Sequence, residues 1–227
     1  MEVARRAARS GAAEGTVIIT GEQTSGRGRM KRLWLSPPGN IALSVILRPE
    51  LAYMSYLIML ASLAVVHTIE SVTGLKPLIK WPNDVLINGK KVSGILIESD
   101  IRKDKVNFVI IGIGINVNLK LADFPDIQAI ATSLSSELGG EVSGVGIVRR
   151  LLVELDRLYL TLSSRKAIYE GWRDRLVTLG KQVRVKSGDA MYEGVAESVA
   201  EDGRLLLRQL DGSLVQIVAG DVATMHI

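Results

Sequence analysis

Two hydrophobic periods run along the chain, one near 3.6 residues and one of two, and the changes between them predict its elements. Residues 2–10 have helical character, and Gly15 ends that segment. Residues 16–20 (TVIIT) are β-branched and predict a strand. After a basic loop comes a second strand at 41–47 (IALSVIL), terminated by Arg48-Pro49. Residues 51–72 are apolar nearly all round, which predicts a largely buried helix. Residues 78–81 and 84–87 read as short extended pieces either side of Pro82-Asn83, and Asn88-Gly89 is a strong hairpin-turn dipeptide. Strands follow at 92–98 and 106–115, with the charged residues 100–105 as the turn between them.

Helical spacing returns over 147–162, where Ile147, Leu151, Leu155, Leu158 and Leu162 fall on one stripe, and a second helix is expected over 165–176. From Gly180 the texture becomes short strands with glycine turns, at 182–185, 191–199, 205–209 and 214–217. That pattern predicts a small β-barrel. The expected division is therefore a larger unit over 1–177 and a small one over 178–227. The larger unit lacks strict βαβ alternation, so the predicted class is α+β with a mixed or antiparallel sheet flanked by helices.

Composition narrows the chemistry. Cysteine is absent, which excludes disulfides, cysteine nucleophiles and Cys-based zinc sites. His67 and His226 are far apart and show no ligand spacing, which argues against a histidine-driven triad. A net charge of +4 suits anionic ligands or an acidic partner but is too weak to imply nucleic-acid binding. The longest apolar run, 57–66, is about half of what a bilayer needs, so no membrane span is expected. No secretory signal is visible, and a cytoplasmic location is the simplest expectation.

Three clusters carry candidate chemistry. In the first, Gly26-Arg27-Gly28-Arg29-Met30-Lys31-Arg32-Leu33-Trp34, four of nine residues are cationic, two are glycines and a tryptophan closes the loop. Arginine forks suit carboxylate and phosphate oxygens, and the indole offers a stacking face. The second is Lys80-Trp81-Pro82-Asn83-Asp84, followed by Asn88-Gly89-Lys90-Lys91-Val92-Ser93-Gly94. It sets a carboxylate and a lysine on the two arms of a hairpin, where lysine can stabilise developing phosphate charge and aspartate can accept a proton or hold magnesium. The third, Gly112-Ile113-Gly114-Ile115-Asn116-Val117-Asn118, ends a strand with two glycines and two amides. It lacks the Gly-x-Gly-x-x-Gly spacing of a dinucleotide site, and no Walker A sequence occurs. Taken singly, each cluster also fits an ordinary solvated loop or tight turn.

In this order the three clusters closely resemble the biotin protein ligase family. Its glycine-arginine loop matches at 26–34 with Ser36-Pro37-Pro38-Gly39 following, its hairpin at 80–84 and 89–94, and its adenylate-side turn at 112–118. Ala131-Thr132-Ser133-Leu134 matches a later segment, and the small unit after Gly180 resembles the family's SH3-like C-terminal domain. The resemblance implies a two-step reaction: biotin attacks the α-phosphate of ATP to give biotinyl-5′-AMP, and a lysine of a biotin carboxyl carrier protein domain then takes the biotinyl group. It implies Lys91, Arg27 and Asp84 as catalytic residues, with Lys91 rather than Lys80 as the reactive-centre lysine. Gln23, Arg27, Gly28, Arg29, Lys91 and Gly94 would contact biotin or its adenylate, and Trp34, Asn83 and Asn116 the adenosine. Mg2+ would be held mainly by the ATP phosphates.

The chain departs from the family in two places. A Ser/Thr-Thr-Asn segment normally precedes the first helix, whereas this chain begins Met1-Glu2-Val3, which implies a biotin pocket short of one wall. Ala42 stands where a larger residue is common. No winged helix-turn-helix is present, so a monofunctional type without DNA binding is expected; a homodimer along a sheet edge is compatible with the resemblance. The competing readings are a lipoate or octanoate ligase of the same superfamily, a non-catalytic basic binding module, and a crippled homologue.

Overall fold

A computed structural model describes residues 1–225, so His226 lies outside the described residues. The larger sheet has six strands: β1 (Val17–Thr20), β2 (Ile41–Leu47), β3 (Leu78–Lys80), β4 (Asp84–Ile87), β5 (Lys90–Arg102) and β6 (Lys105–Ile115). Their order is β1-β2-β6-β5-β4-β3 and every neighbouring pair is antiparallel. The expected α+β class is found, with a wholly antiparallel sheet.

All seven residues of β2 are buried because the sheet is covered on both faces. Ile41, Leu43, Val45 and Leu47 face the main core under α2 (Tyr56–Thr73), whereas Ile46 faces α1 (Glu2–Arg9). Ala4 and Ala8, one helical turn apart, give α1 a small-residue face that seats on Ile46, Phe108 and Ile110. α2 is long and apolar enough by composition to cross a membrane, but most of it is buried in this core. It ends at Gly74 in the left-handed region (φ 72°), where glycine carries no Cβ penalty.

Two boundaries differ most from the sequence expectation. The helix expected from 51 begins at Tyr56, because residues 51–53 form a 3-10 turn that carries the chain round from β2, leaving Leu51 exposed. The charged segment 100–105 is not all turn. β5 runs to Arg102, β6 starts at Lys105, and the bend is Lys103-Asp104 alone, with φ of 48° and 60°. Charge is tolerated in those strand ends because they stand in solvent.

Three more helices follow: α3 (Leu134–Leu138), α4 (Gly144–Leu160) and α5 (Arg165–Arg173). Ser143 caps α4 by accepting from the Gly146 amide. The small sheet comprises β7 (Gln182–Ser187), β8 (Ala190–Val199), β9 (Leu205–Arg208), β10 (Leu214–Ile217) and β11 (Asp221–Thr224), in the order β10-β9-β8-β7-β11. The closing strand β11 is absent from the sequence reading, since four residues beside Gly220 carry no clear alternation. Trp81 joins the two sheets: its Nε1 donates to Gly203 O at 2.8 Å and its amide to Thr178 Oγ1 at 2.9 Å. The Trp81–Pro82 peptide bond is cis.

Candidate active site

The site grows from one face of the large sheet. Side chains alternate along a strand, and Ala42, Gly114 and Gly94 lie side by side across β2, β6 and β5. The next row on that face is Ser44, Gly112 and Leu96. In Gly112-Ile113-Gly114-Ile115 the isoleucines face the core and the glycines face out, so two rows of residues, small except for Leu96, floor a groove. α1 closes the far end, where Arg5 pairs with Glu98. The cationic loop bounds the near end, and the cavity between them is about 410 Å³.

The loop is a miniature ladder. The Gln23 amide donates to Ser36 O at 2.8 Å, Trp34 N to Gly26 O at 3.0 Å and Gly28 N to Arg32 O at 2.8 Å, with Met30 in the left-handed region at the tip. Gly26 is required here, since a Cβ would fall 2.2 Å from Trp34 O. The ladder lays the Trp34 indole on the floor: a Cβ at Gly114 would meet its ring at 2.4 Å, and one at Gly94 would meet it at 3.2 Å.

The hairpin supplies the carboxylate and the lysine. Asn88-Gly89 makes the turn with φ of 50° and 78°. A bulge then opposes Val85 to Ser93 but Leu86 to Lys91, leaving Val92 as the extra residue. Lys91 and Gly94, three apart, would face opposite ways in a regular strand; the bulge brings Lys91 Nζ within 3.2 Å of the Gly94 Cβ position. Lys91 Nζ lies 2.6 Å from Asp84 Oδ1, a close ion pair without hydrogen-bond alignment, and 5.4 Å from the centre of the Trp34 ring.

Arg29 Nη1 donates to Asn83 Oδ1 at 2.8 Å, while Asn83 Nδ2 donates to Ile95 O at 2.9 Å. Asn83, in the turn just before β4 and bonded to β5, thereby aims Arg29. Burial holds the Arg29 guanidinium below its ordinary value, opposed by the charges of Asp221 and Asp84; it remains cationic.

Nine of the ten residues singled out from the sequence line this cavity: Gln23, Arg27, Gly28, Arg29, Trp34, Asn83, Asp84, Lys91 and Gly94. Asn116 does not line it. It is buried, its Nδ2 donates to Thr132 O at 3.0 Å and its amide to Val92 O at 2.8 Å, so here it ties loop to sheet. Among the lining residues given no role from the sequence are Arg5 and Glu98, whose pairing spans 93 positions, and Arg32 and Asp221, whose pairing spans 189. Of these, only Arg32 had a signal, being part of the basic loop. Among the described residues no group of three His, Asp or Glu could hold a metal.

A cavity with arginines and a lysine at its mouth and small or apolar residues along its floor has the build of a site that activates a small carboxylic acid at an anionic centre. Comparison with known proteins agrees. Residues 5–116 match the Biotin/lipoate A/B protein ligase family, and residues 178–224 match the Biotin protein ligase C terminal domain. The chain is 39% identical to the bifunctional ligase/repressor BirA of Bacillus spizizenii, over 97% of this chain and 70% of that protein. It is 34% identical to the biotin–[acetyl-CoA-carboxylase] ligase of Mycobacterium tuberculosis, over 97% and 83% respectively. The structure resembles the biotin protein ligase of Aquifex aeolicus in complex with biotin and ATP, with a TM-score of 0.84 at 28% identity over 98% of this chain and 94% of that one. The chain belongs to the biotin protein ligase family.

Proposed function

We propose that this chain activates biotin with ATP as biotinyl-5′-AMP and passes the biotinyl group to a lysine of a biotin carboxyl carrier protein domain. The observation that carries the reading is the joint placement of Arg27, Arg29, Trp34, Asn83, Asp84 and Lys91 around one cavity. Two relatives named biotin–[acetyl-CoA-carboxylase] ligase, each at 34% identity, favour biotin over lipoate.

In the first step a carboxylate oxygen of biotin bonds to the α-phosphorus of ATP, the bond to the β-phosphate oxygen breaks, and pyrophosphate leaves. Arg27, Arg29 and Lys91 offset the charge that concentrates on the phosphate in the transition state. Trp34 covers the adenine side of the groove. Any divalent cation is carried by the phosphates, in keeping with the lack of an acidic cluster among the described residues. In the second step the acceptor lysine nitrogen attacks the acyl carbon, AMP departs, and Asp84 takes the proton from the attacking amine. The folded loop keeps water from the mixed anhydride between the steps. The catalytic unit is assigned to 1–177 and an SH3-like accessory unit to 178–227, in a cytoplasmic enzyme. Biotin-dependent exchange of label between pyrophosphate and ATP tests the reading.

A further inference from the structure

The cationic loop is held from the second sheet. Arg32 forms an ion pair with Asp221, the first residue of β11, and Arg29 Nη1 donates to Gly220 O at 3.4 Å. The two partners differ in freedom: the Arg32 side chain is 64% exposed, that of Asp221 only 25%. Asp221 is fixed in register opposite Lys186, and the preceding turn is pressed onto β7, where a Cβ at Gly220 would fall 2.7 Å from Val185 Cγ1 and 2.8 Å from Lys186 O. A well-seated carboxylate thus anchors an exposed guanidinium at the rim of the cavity that both line.

We infer that Asp221 is a positioning residue that occupies Arg32 in the ligand-free chain and yields it to the phosphates of the incoming nucleotide. A guanidinium pairs with carboxylate and phosphate through the same fork, so the two anions compete for one partner. A triphosphate carries more charge than a carboxylate and displaces it. Asp221 then faces a polyanion without its own ion-pair partner, which costs nucleotide affinity. The contact therefore has two opposed effects: it orders the empty loop and weakens ATP binding. Only the identity of the displacing anion rests on the ligase reading above.

The test uses the full chain as wild type, Asp221→Asn, Arg32→Gln and the double variant. Hydrogen exchange of the amides of residues 26–34 is followed without ligand, and the KM for ATP is taken from biotin-dependent pyrophosphate exchange. Asp221→Asn is expected to speed loop exchange by up to about fivefold, the range of a partly exposed ion pair, and to lower the KM for ATP by a similar factor with kcat changed less. The effect on loop exchange should vanish in the Arg32→Gln background. Unchanged loop exchange in Asp221→Asn, an effect that persists without Arg32, or a raised KM for ATP would each overturn the inference. If the wild type shows no biotin-dependent exchange, the ligase reading fails, and the hydrogen-exchange cycle still decides whether Asp221 holds the loop.

Discussion

Lys91 Nζ and Asp84 Oδ1 stand 2.6 Å apart on neighbouring strands, brought together by the bulge at Val92. The proximity places the group proposed to stabilise phosphate charge beside the group proposed to take the acceptor's proton, so the two half-reactions share one point in the cavity. Their separate roles predict separate losses. Lys91→Met should slow adenylate formation by about 10²–10³-fold, the usual cost of removing one preorganised electrostatic partner. Asp84→Asn should slow transfer from supplied biotinyl-5′-AMP by about 10²–10⁴-fold and spare pyrophosphate exchange by comparison. Equal losses in both half-reactions for Asp84→Asn would remove its role as the base.

Arg29 is half-buried, aimed by Asn83 and tied to Gly220. Arg29→Gly is expected to form the adenylate still but to release it early, since a charged hydrogen bond of about 1.5–3 kcal/mol is lost. Rapid filtration of the enzyme-bound intermediate measures this. Retention equal to wild type would refute the assignment.

The parts legible in sequence were those governed by local rules. Asn88-Gly89 set the hairpin that carries Asp84 and Lys91, and the β-branched run ending in the glycines of 112–115 marked a strand. What escaped depended on distant partners. Asn116 reads as a ligand amide among glycines, yet it is buried behind the floor against Thr132. Arg5–Glu98 and Arg32–Asp221 join segments whose apposition no local pattern encodes. The bulge that turns Lys91 into the cavity is likewise invisible in a run whose spacing fits an ordinary strand.

Gly114 leaves room for the Trp34 ring, which a Cβ would meet at 2.4 Å. Gly114→Ala is expected to push the indole off the floor at a cost of about 1–3 kcal/mol. The KM for ATP should rise roughly tenfold or more, with less change in that for biotin, and the Trp34 fluorescence should shift. An unchanged KM for ATP would separate Trp34 from the nucleotide.

A pH effect on stability is expected away from the site. Burial, joined by the charges of Arg175 and Arg157, holds His67 below its ordinary value of 6.5, against the opposing pull of Glu154 and Glu70. Arg157 Nη2 lies 3.1 Å from His67 Nδ1; a guanidinium only donates, so Nδ1 accepts and the ring is neutral. Below pH 6.5 the unfolded chain binds a proton that the folded chain refuses, so stability falls as pH drops from neutral toward the folded value. Burial pushes Glu154 up, but the hydrogen bond and charge of Arg157, with Arg150 and His67, more than reverse it, so its own loss comes at lower pH, below its ordinary 4.5. His67→Gln should flatten the melting temperature between about pH 5 and 7. A slope equal to wild type would show that another group controls it.

Isotope exchange between pyrophosphate and ATP, run with biotin, with lipoate and with neither, tests the central claim most directly. Exchange with biotin alone, slowed about 10²–10³-fold by Lys91→Met, is the predicted result. Exchange with lipoate alone, or none with either acid, would contradict it.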